Sequence, residues 1–237
     1  MSRMKERLQR TAGVLGEGGV ERLQRSRVAV FGIGGVGGYV VEALARAGVG
    51  ALDLIDADVV SESNLNRQII ALRSTVGQYK TKAAAARILD IDPDIVVQTH
   101  EVFFSAENAA QFDFSAYDYV VDAIDTVSAK MELVRRANAA GVPIISAMGT
   151  GNKLDPTAFR VSDIYKTEGC PLARAVRGLC RKEGIKHLKV VWSPEPPCGE
   201  VFAENGRHAP ASVSFVPAAA GLVIASAVIR DLCGISK

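Results

Sequence analysis

The run Gly32-Ile33-Gly34-Gly35-Val36-Gly37 places glycine at the spacing G-x-G-x-x-G, and Asp56 comes nineteen residues after its last glycine. Without side chains, glycines let a phosphate approach the backbone, and a helix that opens there offers free N–H groups and a partial positive charge. A carboxylate at the distance of Asp56 suits a ribose hydroxyl. Gly32, Gly34, Gly35, Gly37 and Asp56 therefore read as a nucleotide cradle. The pattern fits NAD as well as ATP, and a turn that merely packs a helix on a sheet would ask for some of the same glycines.

The residues beyond Asp56 separate the two cargoes. Ser63-Asn64-Leu65-Asn66-Arg67 and then Lys80 supply carboxamides and two cations downstream of it. Hydride transfer develops no charge on phosphate, whereas adenylyl transfer needs cations around a pentavalent α-phosphorus and a departing pyrophosphate. Arg67 and Lys80 are of the right kind, although solvated surface cations would look the same in sequence. Asp122-Ala123-Ile124-Asp125 closes an apolar run and should put at least one carboxylate at the mouth of a sheet. Mg²⁺ takes one or two protein carboxylates and completes its shell with phosphate oxygens, so Asp125 alone suffices. Capping of the next helix is its competing use.

These groups must be brought together by the elements around them. Arg27-Val28-Ala29-Val30-Phe31 is a β-branched and aromatic run ending on the glycine turn, and residues 36–47 read as a helix stopped by Gly48. Residues 51–55 make a second strand ending on Asp56, residues 80–90 a helix that stops before Pro93, and residues 95–99 a third strand. Tyr119-Val120-Val121 leads into Asp122, followed by a helix at 127–140 and a strand at 142–146. Strands alternating with helices predict an α/β fold, a Rossmann-like, doubly wound and mostly parallel sheet with functional groups at the strands' C-terminal ends. Beyond residue 150 the rhythm weakens to a strand near 159–161, a helix at 171–182 and a strand at 188–192. Residues 193–211, with four prolines and two glycines, are expected to form a mobile loop over the site. The expected organisation is a single domain over 1–237, with a nucleotide-binding core at about 10–150 and a short, substrate-facing C-terminal extension at about 151–237.

The bulk composition fits such a domain: 237 residues, 48% hydrophobic and 23% charged, without the polar bias of a disordered chain. The net charge of +2 is unevenly spread. Residues 1–27 hold seven Lys/Arg against three Glu and residues 166–189 seven against two, leaving the remainder, with 14 basic and 21 acidic groups, at −7. Lys166, Arg174, Arg177 and Arg181 lie in the second basic segment and would give a polyanion its electrostatic footing; a solvated amphipathic helix is the alternative. The apolar stretch 215–229 is interrupted by Pro217 and Gly221 and falls short of a membrane span, so it reads as a buried last helix. The N-terminus has no apolar run of signal-peptide length, which suggests a cytoplasmic protein without membrane contact. Cys170, Cys180, Cys198 and Cys233 show no C-x-x-C spacing, so neither a disulfide framework nor structural zinc is expected.

In that order, the glycine turn, Asp56-Ala57-Asp58, Ser63-Asn64-Leu65-Asn66-Arg67, Lys80 and the Asp122/Asp125 pair resemble the ThiF-like and ubiquitin-activating adenylyltransferase superfamily. The resemblance implies that Gly35, Asp56 and Asp58 meet nucleotide, Asn64 and Arg67 grip phosphates, Lys80 stabilises pyrophosphate, and Asp125 holds Mg²⁺. It also implies that Arg10 reaches a neighbouring subunit's ATP as an arginine finger, hence a homodimer. Asp155-Pro156-Thr157, Lys166-Thr167 and Cys170-Pro171-Leu172-Ala173-Arg174 extend the likeness to the tRNA threonylcarbamoyladenosine dehydratase family. That family is understood to adenylate the threonyl carboxylate of a modified adenosine in tRNA and close it into a ring. The implied cofactors are ATP and Mg²⁺, with room for a monovalent cation (Na⁺ or K⁺) and for a sulfur-transfer or redox helper protein beside tRNA. Ring closure carries its nucleophile within the substrate, so an enzyme thioester is unnecessary and Cys170 is not expected to be catalytic. The rival readings are activation of the C-terminal Gly-Gly of a sulfur-carrier protein and a non-catalytic NAD-binding sensor.

Overall fold

The computed structural model describes residues 5–199, 201–204 and 207–235. Among these, strands β1 (Arg27–Phe31), β2 (Ala51–Ile55), β3 (Val96–His100), β4 (Tyr119–Asp122), β5 (Ile144–Ala147), β6 (Arg160–Asp163) and β7 (Lys189–Trp192) form one seven-stranded sheet. Its order is β3-β2-β1-β4-β5-β7-β6, parallel throughout except where β6 returns antiparallel along β7. This is the expected Rossmann-like sheet, with the chain reversing direction across it between β1 and β4.

Successive residues of β1 show how the sheet is held. Val28 and Val30 enter a core with Leu44, Ile88 and Ile224, while Ala29 and Phe31 enter a second with Met131, Leu133 and Val176. A strand buried on both faces carries a continuous apolar run, not an alternation, which is why these strands stand out in the sequence. The first layer comes from α3 (Gly37–Ala47), α4 (Lys80–Ile91) and α7 (Phe215–Leu232), and the second from α5 (Val127–Ala140) and α6 (Pro171–Lys182).

Two expectations change. The segment 193–211 is not irregular throughout, because β8 (Val201–Glu204) and β9 (Arg207–Pro210) pair as an antiparallel hairpin. Nor is the last apolar stretch interrupted: α7 runs unbroken for 18 residues. Pro217 falls in its first turn, where its missing N–H is not needed. Gly221 is the point of closest approach to α3, where a Cβ would lie 2.5 Å from the Val36 carbonyl oxygen. By length and composition α7 could cross a membrane, but it lies on the sheet with Ile224 and Val228 fully buried.

Two helices not read from the sequence, α1 (Gln9–Leu15) and α2 (Glu17–Arg25), precede β1. Their entry is tied down by Leu8, packed under Gly48 at the end of α3, and by Lys5 and Arg7, both paired with Asp92 at the end of α4. Burial alone would raise the Asp92 carboxyl, but the hydrogen bonds from Lys5 and Arg7 outweigh it and hold it at about 2. A carboxyl depressed by folding contributes stability that is complete above its unfolded pKa of about 3.9 and lost as the pH falls through its folded value. Asp92→Asn should therefore cost roughly 1–3 kcal/mol at pH 7. Thermal melts from pH 5 down to pH 2 should show a shallower acid loss in the variant than in the parent.

Candidate active site

The four motif glycines divide into two pairs. Gly32 lies at φ +88° and a Cβ there would meet the Ala123 carbonyl oxygen at 2.6 Å; a Cβ on Gly37 would meet the Gly32 oxygen at 1.8 Å. These two let the turn close on itself and on the β4–α5 connection. Gly34 is open, the nearest atom to its Cβ position being Gln68 Nε2 at 3.9 Å, whereas a Cβ on Gly35 would press on the Pro217 side chain at 3.3 Å. These two form the floor at the N-terminal end of α3, the end at which a helix leaves backbone N–H groups without an intrahelical partner.

Asp56 is pinned to this floor. Its Oδ2 accepts from the Ile33 N–H at 2.6 Å and its Oδ1 from the Asp58 N–H at 2.8 Å. Burial raises its carboxyl above the ordinary range, against the opposing pull of the Lys80 charge and those two donors.

The long crossover from β2 to α4 brings the cations round. Lys80 opens α4 and is buried, with Nζ 2.6 Å from Asp58 Oδ2. Burial rules out the solvated-surface alternative for Lys80. Arg67 lays its stem beside Gly35 and is braced by the Ser63 carbonyl and by Asn66 Oδ1, each at 2.9 Å. Asn64 is buried, and its Oδ1 accepts from the Ser61 N–H at 3.1 Å, so its carboxamide shapes the turn that presents Arg67. Asn66 ties the same turn to the segment after the hairpin through the Ser212 carbonyl at 3.0 Å.

The two aspartates after β4 part company. Asp122 does not reach the mouth; it is fully buried and paired with Lys130 at 3.0 Å. Asp125 is exposed on the turn that closes against Gly32, its Oδ1 accepting from the Thr126 hydroxyl at 3.3 Å. Thr126, not Asp125, occupies the cap position of α5, so capping does not account for Asp125.

Sequence reasoning passed over Gln68, Pro217 and Lys130. Gln68 is buried beside Gly34, and its Oε1 has no hydrogen-bond partner. A buried acceptor left unpaired is costly, and a ligand with a donor to offer would satisfy it. Together with the glycine floor, this orphan oxygen fits a nucleotide. A single exposed carboxylate fits Mg²⁺, which keeps water and phosphate ligands. Among the described residues no three His, Cys, Asp or Glu side chains cluster as a metal cage.

Of the basic residues expected to meet a polyanion, Lys166, Arg174 and Arg181 are exposed, with Arg181 lying 5.6 Å over the Tyr165 ring. Arg177 is half-buried and donates to the Thr167 carbonyl at 2.7 Å and hydroxyl at 2.6 Å, which ties α6 to the segment that precedes it. Cys170 caps α6 and is buried against Gly149. Cys180 and Cys233 are buried thiols pushed upward by desolvation, Cys180 to about 11. Arg10 is exposed on α1, two residues after the Leu8 that packs at the far end of α3 from the glycine turn.

Comparison with known proteins agrees with this geometry. The profile of the ThiF family matches residues 7–237. The chain is similar to a tRNA threonylcarbamoyladenosine dehydratase of Bacillus subtilis (strain 168), with 42% identity over 231 residues, covering 92% of this chain and 91% of that protein. It also superposes on the crystal structure of the E. coli tRNA N6-threonylcarbamoyladenosine dehydratase in complex with ATP. The TM-score is 0.87 at 35% identity, over 96% of this chain and 94% of that one. The AMP complex of the E. coli enzyme gives a TM-score of 0.88 at 34% identity, with the same coverage.

Proposed function

The chain belongs to the ThiF family, and from that premise we propose that it uses ATP to adenylate the threonyl carboxylate of threonylcarbamoyladenosine in tRNA and closes it to the cyclic form. The observation that carries this reading is the glycine floor at Gly34 and Gly35 with Arg67 laid beside it and a buried Lys80 whose charge acts on Asp56. A redox cofactor would have no use for two cations there.

Each residue then has its own part in the chemistry. The backbone of the glycine turn receives the phosphates, and the Asp56 carboxylate, held by two N–H donors, accepts from a ribose hydroxyl. Arg67, with Asn64 setting its turn, would take up phosphate charge, and Lys80, steadied by Asp58, would take the charge that develops on pyrophosphate. Asp125 would hold Mg²⁺, which supplies further neutralisation of the phosphates when bound. The substrate carboxylate attacks the α-phosphorus and pyrophosphate leaves; the substrate's own carbamoyl group then displaces AMP, which carries away the oxygen lost by the carboxylate. Proximity drives the second step, so no cysteine is required. Lys166, Arg174 and Arg181 would steady the tRNA backbone beside the site.

Arg10 lies on α1, two residues after the Leu8 that packs at Gly48, the end of α3 away from the glycine turn. On this reading it serves the site of a second subunit in a homodimer. With α-labelled ATP and tRNA carrying the modification, labelled AMP and a tRNA nucleoside lighter by one water are expected. A Gly-Gly sulfur carrier run in parallel should release no pyrophosphate. Folded enzyme that yields no AMP with the modified tRNA would overturn the reading.

A further inference from the structure

Behind the site, out of reach of any substrate, lies an ionic group that the chemistry above does not use. Lys130, at the end of the first turn of α5, is fully buried, and so are Asp122 and Ser146. Its ammonium donates to Asp122 Oδ2 at 3.0 Å and to the Ala147 carbonyl at 2.8 Å, and lies 3.3 Å from Ser146 Oγ. Ser146 donates in turn to the same Asp122 oxygen. An ammonium has three donors, and here all three are used by acceptors at the ends of β4 and β5.

A buried ion pair of this kind seldom stabilises a fold more than packed apolar residues would. Its distinguishing property is geometry. The second oxygen of Asp122 accepts from the Ile124 N–H at 3.1 Å, and the Ala123 N–H extends the sheet by bonding to the Phe31 carbonyl at 2.8 Å. Residues 122–124 are thus fastened on both sides, and Asp125 is the next residue along.

We infer that Lys130 is a positioning residue: by orienting Asp122, its ammonium sets the 122–125 turn so that Asp125 is in place for Mg²⁺ before any ligand arrives. The inference rests on Asp125 being the Mg²⁺ ligand. Residues that orient a ligand from behind typically change metal affinity about tenfold to a hundredfold when replaced.

Two variants test it. Lys130→Met removes the ammonium, and Asp122→Asn/Lys130→Met removes both charges so that no buried carboxylate is left unpaired. The first measurement is backbone amide exchange over residues 122–127 in protein free of metal and nucleotide. Exchange at Ile124 should rise at least about tenfold in the folded variants. The second is the Mg²⁺ concentration for half-maximal pyrophosphate exchange, which should rise by about tenfold or more, while the KM for ATP at saturating Mg²⁺ stays within about twofold. Parental exchange or a parental Mg²⁺ midpoint in either folded variant, even with a lowered melting temperature, overturns the proposal. Asp125→Asn is run beside them. If it leaves the midpoint unchanged, the Mg²⁺ reading has failed and the inference with it. If it raises the midpoint while the folded Lys130 variants behave as the parent, only the inference is overturned.

Discussion

Lys80→Ala enzyme is expected to bind ATP and to lose on the order of a thousandfold in adenylate formation. A charge in a site shielded from water acts at a lower effective dielectric than one at the surface, and Lys80 is buried, with its ammonium already aimed by Asp58. Nothing has to reorganise as charge moves onto pyrophosphate, so the loss should fall on kcat, with a much smaller change in ATP affinity. Pyrophosphate exchange at saturating ATP reads the first and equilibrium binding the second. An equal loss in both would mean that Lys80 contributes ordinary ground-state binding. Arg10→Ala enzyme should be similarly inactive. Mixed and re-equilibrated in equal amounts, the two inactive proteins should recover about a quarter of parental activity, since one site in each heterodimer then has its own lysine and the arginine of the other subunit. No recovery would count against an arginine supplied in trans.

Gly37→Ala should have the largest effect on the fold. The added Cβ would sit 1.8 Å from the Gly32 carbonyl oxygen and 3.3 Å from Ala123 Cβ, and the first of these is backbone that cannot step aside. Overpacking against backbone costs more than about 3 kcal/mol, a drop in melting temperature on the order of 10 °C for a domain of this length. Because the same displacement moves the turn away from the β4–α5 connection, residual folded protein should bind ATP poorly. Gly178→Ala is the matching control: in the middle of α6, with nothing within 4 Å of the new methyl, it should stabilise by up to about 1 kcal/mol. A small effect at Gly37 would show that the turn is more plastic than its packing implies.

The doubly wound core was legible because β1, β2 and β4 are buried on both faces and lead into residues with a purpose: Phe31 before the glycine turn, Ile55 before Asp56, Val121 before Asp122. Lys80 and Asp125 were picked out by type and order; the structure buries one beside a carboxylate and leaves the other exposed. What sequence order could not supply was depth. Asp122 and Asp125 look alike three residues apart, yet one lies within the sheet and the other on its rim. Arg174 and Arg177 belong to one basic run, yet only Arg177 turns back to Thr167. The four glycines look equivalent until Cβ positions show Gly32 and Gly37 closed in by backbone, Gly35 pressed on the Pro217 side chain and Gly34 left open. Gln68, Pro217 and Lys130 carry no motif and become significant only through neighbours far off in the chain. The hairpin went unseen because prolines and a glycine at its ends were read as breaking the segment throughout.

The helix α4 joins two of these features. Lys80 stands at its first residue and Asp92 caps its last, so the 12-residue rod of about 18 Å has the buried lysine paired with Asp58 at one end and the clasp for Lys5 and Arg7 at the other. Three residues beyond Arg7 comes Arg10. The N-terminal segment that carries Arg10 and the cation beside the glycine turn are therefore fastened to opposite ends of one helix. A substitution that loosens the Asp92 clasp frees one end of the helix whose other end holds Lys80 against Asp58.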